Sequence, residues 1–434
     1  MAFHFSRDTK VFMKFSVDGQ TGGSATDTLY EIPVLDGYSF SQATNSSEIT
    51  LNEAADSSGN SKRGRAMFND SFAPAEWSFS TYMRPTISGS GSTPAGDTWN
   101  IAGGIGQHAG QSKKFAVEGP LWAAMSATTY NLGVGGTGAP TAASFEPKAF
   151  NFQNSNKVAL GVFDLYFVLG AAKDTANALY TTGTEGVTVY KISDCSVGSA
   201  SIDFDIEGLA QVAWSGQGKK IKEVTQLKTT AGATSPAVTG EESTTQGLVN
   251  EGISSTSNYI RQKLTSLAIS YDLSDSTGAP SGVASDGETQ LGGDKTYSVV
   301  LTGGNITIEN NLTYLTPETL GSVNQPLGHV MGTRSVSGNF TCYLNNVADG
   351  SMDLLEDLHE ADTVITNSFD MTFSIGGANA PKVEVALPNC HLELPTHTIE
   401  DVIGVDVNFH ALPADLSDAT ASNSANEITL TYTS

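Results

Sequence analysis

An internal repeat constrains this chain more than any other feature. Five short segments of the first half recur in the second half in the same order. The matched segments are 34–37 with 301–304, 78–83 with 339–344, 163–170 with 369–376, 192–195 with 387–390, and 205–214 with 401–410. Because five ordered matches are difficult to obtain by chance, the sequence predicts a tandem duplication. Its first domain spans residues 1–222, a polar linker spans 223–256, and its second domain spans 257–434.

The repeated segments alternate between apolar and polar residues. In 163–169 every second residue from Phe163 to Leu169 is apolar and shares one face, with Asp164 and Tyr166 on the other, and 369–375 places Asp370 in the same way. A period of two with aromatic and β-branched residues is typical of half-buried strands. Only 16% of residues are charged, which suits a β protein with long loops better than a helical one. The predicted fold class is mainly β.

Each repeat also has room for one short packed helix. The first helix is predicted to begin at 119–120, since proline is tolerated at the first helical position, and the second at Ser351, a predicted N-cap. Their apolar faces would be formed by residues at helical spacing: Leu121, Trp122 and Met125 in the first, and Met352, Leu355 and Leu358 in the second.

The balance of charge argues against a nucleic-acid clamp. Lys plus Arg number 22 and Asp plus Glu number 46, so the formal net charge is 22 − 46 = −24. Sequence-independent binding to DNA or RNA depends on cationic side chains that neutralise phosphates. An acidic surface has two interpretations: it keeps the protein soluble, or it lets nucleic acid pass without adhering.

Neither a secretion signal nor a membrane helix is predicted. Residues 1–15 contain no apolar signal core, and no stretch approaches the ~18 consecutive apolar residues of a spanning helix. Cys195, Cys342 and Cys390 are odd in number and widely spaced, without a CxxC pair. They are predicted to be reduced core thiols of a protein assembled in the cytoplasm.

Motifs for catalysis or cofactor binding are missing from the sequence. It contains no GxSxG, HExxH or GxxxxGK[S/T] pattern, and the glycine run 133–138 is better explained as a flexible loop than as a phosphate cradle. Cys390, His391 and His397 are the one metal-like cluster, but neighbouring strand residues point to opposite faces. The chain is therefore predicted to be no enzyme and to bind no cofactor or metal.

The second repeat resembles the tail tube proteins of long-tailed bacteriophages, and the first is a more diverged version in which Pro74 stands in place of Ser335. The features that carry the resemblance are Gly303-Gly304, the signature-like run 332–344, a Leu-rich helix with Leu354, Leu355 and Leu358, and a pair of strands ending near Phe409.

The resemblance implies a fold and a function. Each domain would be a tail-tube-like β-sandwich with one short helix, and its inner sheet would join those of its neighbours into a closed β-barrel ring. Rings in this family hold six such domains, so three copies of a two-domain chain would form a pseudo-hexameric ring. Stacked rings would form the tail tube of the virion, assembled in the host cytoplasm, through which DNA passes into the host.

The resemblance also implies partners. The chain would contact copies of itself, and the tape measure protein and DNA would pass through its lumen without specific binding. Sheath, tail terminator and baseplate proteins are further candidates. The long segments 41–71 and 309–333, which link the same two strands in each repeat, are expected to make ring-to-ring contacts.

An acidic lumen is the sharper interpretation of the net charge. Asp164, Asp370 and Asp406 lie on the polar faces of alternating segments and are the candidate lumen-lining residues. Two other hypotheses stay open: a distal tube-initiating or hub protein, and a carbohydrate-binding tail fibre or decoration protein. Sugar-binding modules present clustered exposed aromatic residues, whereas the aromatic residues here fall mostly on faces predicted to be buried.

Overall fold

The structure of the protein is a computed structural model. It describes residues 4–16, 27–49, 57–58, 66–88, 113–126, 149–151, 160–170, 173, 179–183, 186–231, 242–244, 248–249, 259–271, 295–317, 320, 323–360, 369–399, 402–413 and 427–433. The predicted mainly β class is confirmed, because strands account for most of these residues and only two α-helices occur among them.

The first unit comprises the described residues from 4 to 249. Its elements are β1 (Lys10–Ser16), β2 (Asp27–Ile32), β3 (Ser39–Ile49), β4 (Ala66–Tyr82), β5 (Pro85–Ser88), β6 (Lys113–Ala116), α1 (Gly119–Ser126), β7 (Ala149–Asn151), β8 (Phe163–Leu169), β9 (Leu179–Thr181), β10 (Thr188–Phe204), β11 (Gln211–Gly218), β12 (Lys220–Val224), β13 (Gln226–Ala231), β14 (Glu242–Thr244) and β15 (Leu248–Val249).

The second unit comprises the described residues from 259 to 433. Its elements are β16 (Ser266–Tyr271), β17 (Lys295–Val299), β18 (Leu301–Glu309), β19 (Leu312–Leu315), β20 (Gly328–Met331), β21 (Ser335–Tyr343), α2 (Ser351–Glu360), β22 (Phe369–Ile375), β23 (Lys382–Leu392), β24 (Thr396–Ile399), β25 (Ile403–Ala411) and β26 (Thr429–Thr433). Short 3₁₀ turns occur at Ser6–Asp8 and Gln262–Leu264.

The two units have the same strand order. In the first, antiparallel neighbours run β3-β4-β11-β10-β8-β1-β2. In the second they run β18-β21-β25-β23-β22-β16-β17. A bulge recurs as well: Ile192 and Cys195 pair with Leu165 and Phe163, as Leu387 and Cys390 pair with Met371 and Phe369.

Strand β10 connects two layers of the first unit. Its first half pairs with β8 and its second half with β11, and the register shifts between them near Asp194, whose φ is 51°. The layers enclose a core in which Trp77 of one layer contacts Phe163 of the other edge to face, with ring centroids 5.9 Å apart. Helix α1 is buried, and its Trp122 packs against Trp214 with ring centroids 4.5 Å apart. Alternation explains part of this arrangement, since strands such as β11 bury every second side chain.

One sheet continues from the first unit into the second. The second half of β10 pairs with β18, which gives the order β3-β4-β11-β10-β18-β21-β25-β24, antiparallel throughout. Among the described strands, no series of neighbouring pairs leads from one strand back to the same strand. The described strands of one chain therefore do not form a closed barrel.

Both predicted helices are present, with two corrections. The hydroxyl of Ser351 does not cap the first turn: it donates to the Tyr343 carbonyl at 2.8 Å and accepts from the Asn345 N–H at 2.9 Å, which ties the helix to β21. Met352, predicted on the apolar face, is exposed, whereas Leu355 and Leu358 are buried. The apolar stripe of α2 is thus narrower than its sequence indicates.

The segments predicted as loops and linker contain strands in their described parts. The described residues of 41–71 belong mostly to β3 and β4, and 309–333 contains the hairpin β19–β20. In 223–256, β13 pairs with β9, β15 pairs with β2, and Leu227 is buried beside Tyr180. Low apolar content suggested a linker there, but backbone pairing to strands of the first unit holds these residues.

Strand registers also correct one match of the repeat. Trp214 lies opposite Phe79, and Val407 lies opposite Phe340. Because Phe79 and Phe340 occupy the same place in their segments, Val407 rather than His410 is equivalent to Trp214. The sequence match of 205–214 with 401–410 is therefore three residues out of register.

Candidate functional site

One face of the continuous eight-stranded sheet carries small polar side chains. Large apolar residues occupy the opposite face: Trp77, Phe79, Trp214, Phe340 and Phe409 all point into the core. The polar face includes hydroxyl and amide side chains from all eight strands: Ser39, Ser41, Ser78, Ser199, Ser201, Ser215, Asn305, Thr307, Ser337, Asn339, Asn408 and Thr396.

The charged side chains that the eight strands present on this face are all acidic. One further titratable side chain, His410, lies near one end of the face. The acidic residues are Glu76, Asp203, Glu309 and Asp406, and the described residues of the face include no lysine or arginine. Asp406 accepts a hydrogen bond from the Asn339 amide at 3.2 Å, and Asp203 accepts one from Ser201 at 3.4 Å. The face is thus negative, and no lysine or arginine of the described strands neutralises it.

Neighbouring hydroxyl groups on this face bond to one another across the strands. Ser39 and Ser78 are 2.8 Å apart, Ser199 and Ser215 are 2.7 Å apart, and Ser201 lies 3.3 Å from Thr307. Cross-strand hydroxyl pairs of this kind satisfy each other's hydrogen-bonding groups. The resulting surface is polar.

Two shallow depressions mark the same face, one at the junction of the two units and one within the second unit. The first, of about 420 Å³, lies over Ser78, Ser215 and Glu309, and the second, of about 360 Å³, lies over Asn339 and Asn408. At the edge of the second, Glu393 accepts hydrogen bonds from Asn408 at 3.0 Å and from His410 at 3.3 Å. These bonds lower the pKa of the Glu393 carboxyl.

The three aspartates predicted to line a lumen are not brought together. Asp406 lies on the polar face. Asp164 lies on β8 in the other layer, where its carboxylate is 2.8 Å from the Lys191 ammonium and accepts the Asp194 N–H at 3.1 Å. Asp370 lies on β22, the strand equivalent to β8, opposite Ser270. Asp164 and Asp370 therefore share a setting that Asp406 does not.

Sequence reasoning missed Glu76, Asp203 and Glu309. The alternation was available, because each lies one residue from a buried neighbour: Trp77, Phe204 and Ile308. What it lacked was the pairing of β10 with β18, which places the acidic residues of both units on one surface.

Comparison with known proteins decides the family. A family model described as phage tail tube protein matches residues 51–411. The chain belongs to the phage tail tube protein family. Tail tube protein pb6 of Escherichia phage T5 is 30% identical over 421 residues, which cover 96% of this chain and 74% of that protein. The resemblance drawn from the second repeat is thereby confirmed, and this tail tube protein is a structural component of the virion tail.

Ligand-binding chemistry is sparse in the described part of this tail tube protein. No group of three His, Cys, Asp or Glu side chains that could hold a metal ion occurs there, and no described helix could span a membrane. Cys390 is buried and its thiol donates to the Leu387 carbonyl at 3.6 Å, as Cys195 donates to Ile192 at 3.4 Å. Burial raises the pKa of both thiols. These cysteines pack within the core of the tail tube protein.

Proposed function

We propose that three copies of this chain form a pseudo-hexameric ring, that rings stack into the tail tube, and that the polar face lines the lumen. DNA, and the tape measure protein before it, would pass along this wall. The observation that carries the proposal is the continuous eight-stranded face with acidic charges and no described lysine or arginine.

The matching strand orders support a tandem duplication. Two units with the same order, the same bulge and one helix each would act as two of the six positions in a ring. The antiparallel β10–β18 junction joins the units edge to edge, which is the geometry that a closed ring of sheets requires. Three chains would then supply all six positions.

Electrostatics favours the polar face as the inner wall. DNA carries about one charge per 1.7 Å of its axis, and physiological salt screens interactions beyond about 8 Å. Glu76, Asp203, Glu309 and Asp406 would each occur three times in a ring. They would repel the duplex only at close approach, so that it slides without adhering.

Exposed apolar side chains support the proposed ring-to-ring contacts. Met67 and Phe68 are exposed on β4, and Leu327 and Val330 are exposed at the β19–β20 hairpin. Because these segments extend beyond the eight-stranded sheet, a stacked ring is a suitable partner for them.

Single lysine substitutions test the lumen assignment. Glu76→Lys, Asp203→Lys and Asp406→Lys each place three cations on the wall of a ring, and we expect each variant to assemble into tubes but to eject DNA more slowly, most strongly at low salt. The measurement is the rate of DNA release from phage carrying each variant. Glu223→Lys, an exposed position on β12 in the other layer, is the matched control and should release DNA at the normal rate.

Asp164 and Asp370, which the sequence also predicted to line the lumen, lie on the other layer and test the alternative assignment. If Asp370→Lys slows release and Asp406→Lys does not, the layer that contains β8 and β22 faces the lumen. Normal release at low salt for every variant would contradict an acidic DNA-conducting wall altogether.

A further inference from the structure

Strands β10 and β18 form the junction between the two units of one chain. The strands equivalent to them lie at the two ends of the eight-stranded sheet. Inside the chain, β10 and β18 pair with Ser201 opposite Thr307 and Asp203 opposite Asn305. The strands equivalent to these two are β24 and β3. Each has one described partner, β25 and β4 respectively, and in the described part of the chain no backbone pairing occupies its other edge.

The equivalence of β24 with the second half of β10 follows from their common neighbour. Ser201 lies opposite Ala213 on β11, and Thr396 lies opposite Asp406 on β25. Ala213 and Asp406 are equivalent because they lie opposite Ser80 and Thr341, the same place in the repeated segment. Thr396 is therefore the counterpart of Ser201.

The equivalence of β3 with β18 follows in the same way. Ser41 lies opposite Glu76 on β4, and Thr307 lies opposite Ser337 on β21. Glu76 and Ser337 each stand two residues before the matched pair Ser78 and Asn339. Ser41 is therefore the counterpart of Thr307.

We infer that β24 of one chain pairs antiparallel with β3 of a second copy, with Thr396 opposite Ser41, His397 opposite Phe40 and Thr398 opposite Ser39. The inference rests on the proposed ring and specifies its subunit interface. Strand directions agree, because β3 and β24 are the first and last of eight alternating strands, so the next β3 runs antiparallel to β24. The Thr396–Ser41 pair would repeat the hydroxyl contact that Ser201 and Thr307 make at 3.3 Å.

Unpaired strand edges are a general reason to expect a partner, and here the partner is a further copy of the same chain. The contact is heterologous, because the two edges differ, and such contacts generate closed rings when the rotation permits. On the face of the sheet that points into the core, this interface would differ from the β10–β18 junction. His397 and Phe40 would stand where the junction has the buried pair Ile202 and Ile306.

Cysteine cross-linking tests the register. In full-length Ser41→Cys/Thr396→Cys protein, assembled and then oxidised with copper phenanthroline, we expect non-reducing gels to show covalent dimers and trimers, and a ladder that ends at three chains. Ser201→Cys/Thr307→Cys is the matched control: it should form its bond within one chain and give no ladder. Ser41→Cys/Asp406→Cys, one strand further away, should not cross-link, and neither should the single variants.

Electron microscopy of the same samples separates the two proposals. Rings or tubes that show no Ser41–Thr396 cross-link would overturn this interface and leave the tube proposal standing. A ladder from the Asp406 variant that equals the Thr396 ladder would overturn the register. A chain that stays monomeric at every concentration would overturn the proposed function and the interface with it.

Discussion

The indole ring of Trp77 lies over Gly216, its direct partner on the neighbouring strand. A Cβ atom at Gly216 would come within 2.4 Å of the Trp77 ring and 2.2 Å of the Ser196 carbonyl oxygen. The second unit contains the same pair with the roles exchanged: Gly338 lies opposite Phe409, whose ring would meet a Cβ there at 2.7 Å. At this place each unit holds one large aromatic ring and one glycine, on opposite strands.

Gly216→Ala tests this packing. No flexible group can yield to the added methyl, since the close atoms belong to a carbonyl and to a buried indole ring. We expect the free energy of unfolding to fall by about 1–3 kcal/mol, as is usual for overpacked cores. The measurement is urea unfolding of the unassembled chain. Gly198→Ala is the control, since the nearest atom to its Cβ would be at 3.5 Å, an ordinary contact. Equal stability of the two variants would contradict the described packing.

Glu118 makes stability depend on pH. It is buried, and the Tyr432 hydroxyl, which accepts the Trp122 indole N–H at 2.8 Å, donates to its carboxyl. Burial raises the pKa of Glu118 from 4.5 to about 7. Between these values the folded chain binds more protons than the unfolded one. The stability that protonated Glu118 contributes to the folded chain is therefore fully present below about pH 4.5 and is lost as pH rises through about 7.

We expect Glu118→Gln to remove this dependence. Between about pH 4.5 and 7 the free energy of unfolding of the wild-type chain should fall by on the order of 3 kcal/mol relative to that of the variant. The measurement is the difference between the two unfolding free energies at each pH, which cancels the other titrating groups. A difference that stays constant over this interval would contradict a protonated Glu118 in the folded state. Tyr432→Phe, which removes the donated hydrogen bond, is the companion variant.

The three cysteines should be inert in the folded protein. Cys195 and Cys390 are fully buried, and burial also raises the pKa of Cys342, to about 11. Because the thiolate is the reactive form, both access and ionisation are suppressed. We expect an aromatic disulfide reagent to modify all three in urea and none in native buffer. The Ser41→Cys variant supplies an exposed thiol that should react at once. Rapid modification of a native thiol in the wild-type chain would contradict the burial.

Much of the fold was accessible from the sequence because it depends on local alternation. Of the residues predicted to share an apolar face, Phe163, Leu165 and Phe167 and the four of 369–375 are buried, while Leu169 is half-buried. Both short helices occur where proline and the leucine spacing indicated. Alternation identifies which side chains share a face. It does not identify what covers that face, so Asp164 was grouped with Asp406, although a lysine contacts the first and the second lies on the polar face.

The sequence by itself determined the β class, the order of the repeated segments and the lack of recognisable catalytic motifs, since these follow from residue type and spacing along the chain. Only the tertiary structure decided that β10 and β18 join the two units into one sheet, that Glu76, Asp203 and Glu309 share its polar face with Asp406, and that Trp77 and Phe409 fill equivalent space from opposite strands. These are contacts between residues distant in sequence. Their partners are selected by strand register and by the shape of the core, and neither is encoded in any local pattern.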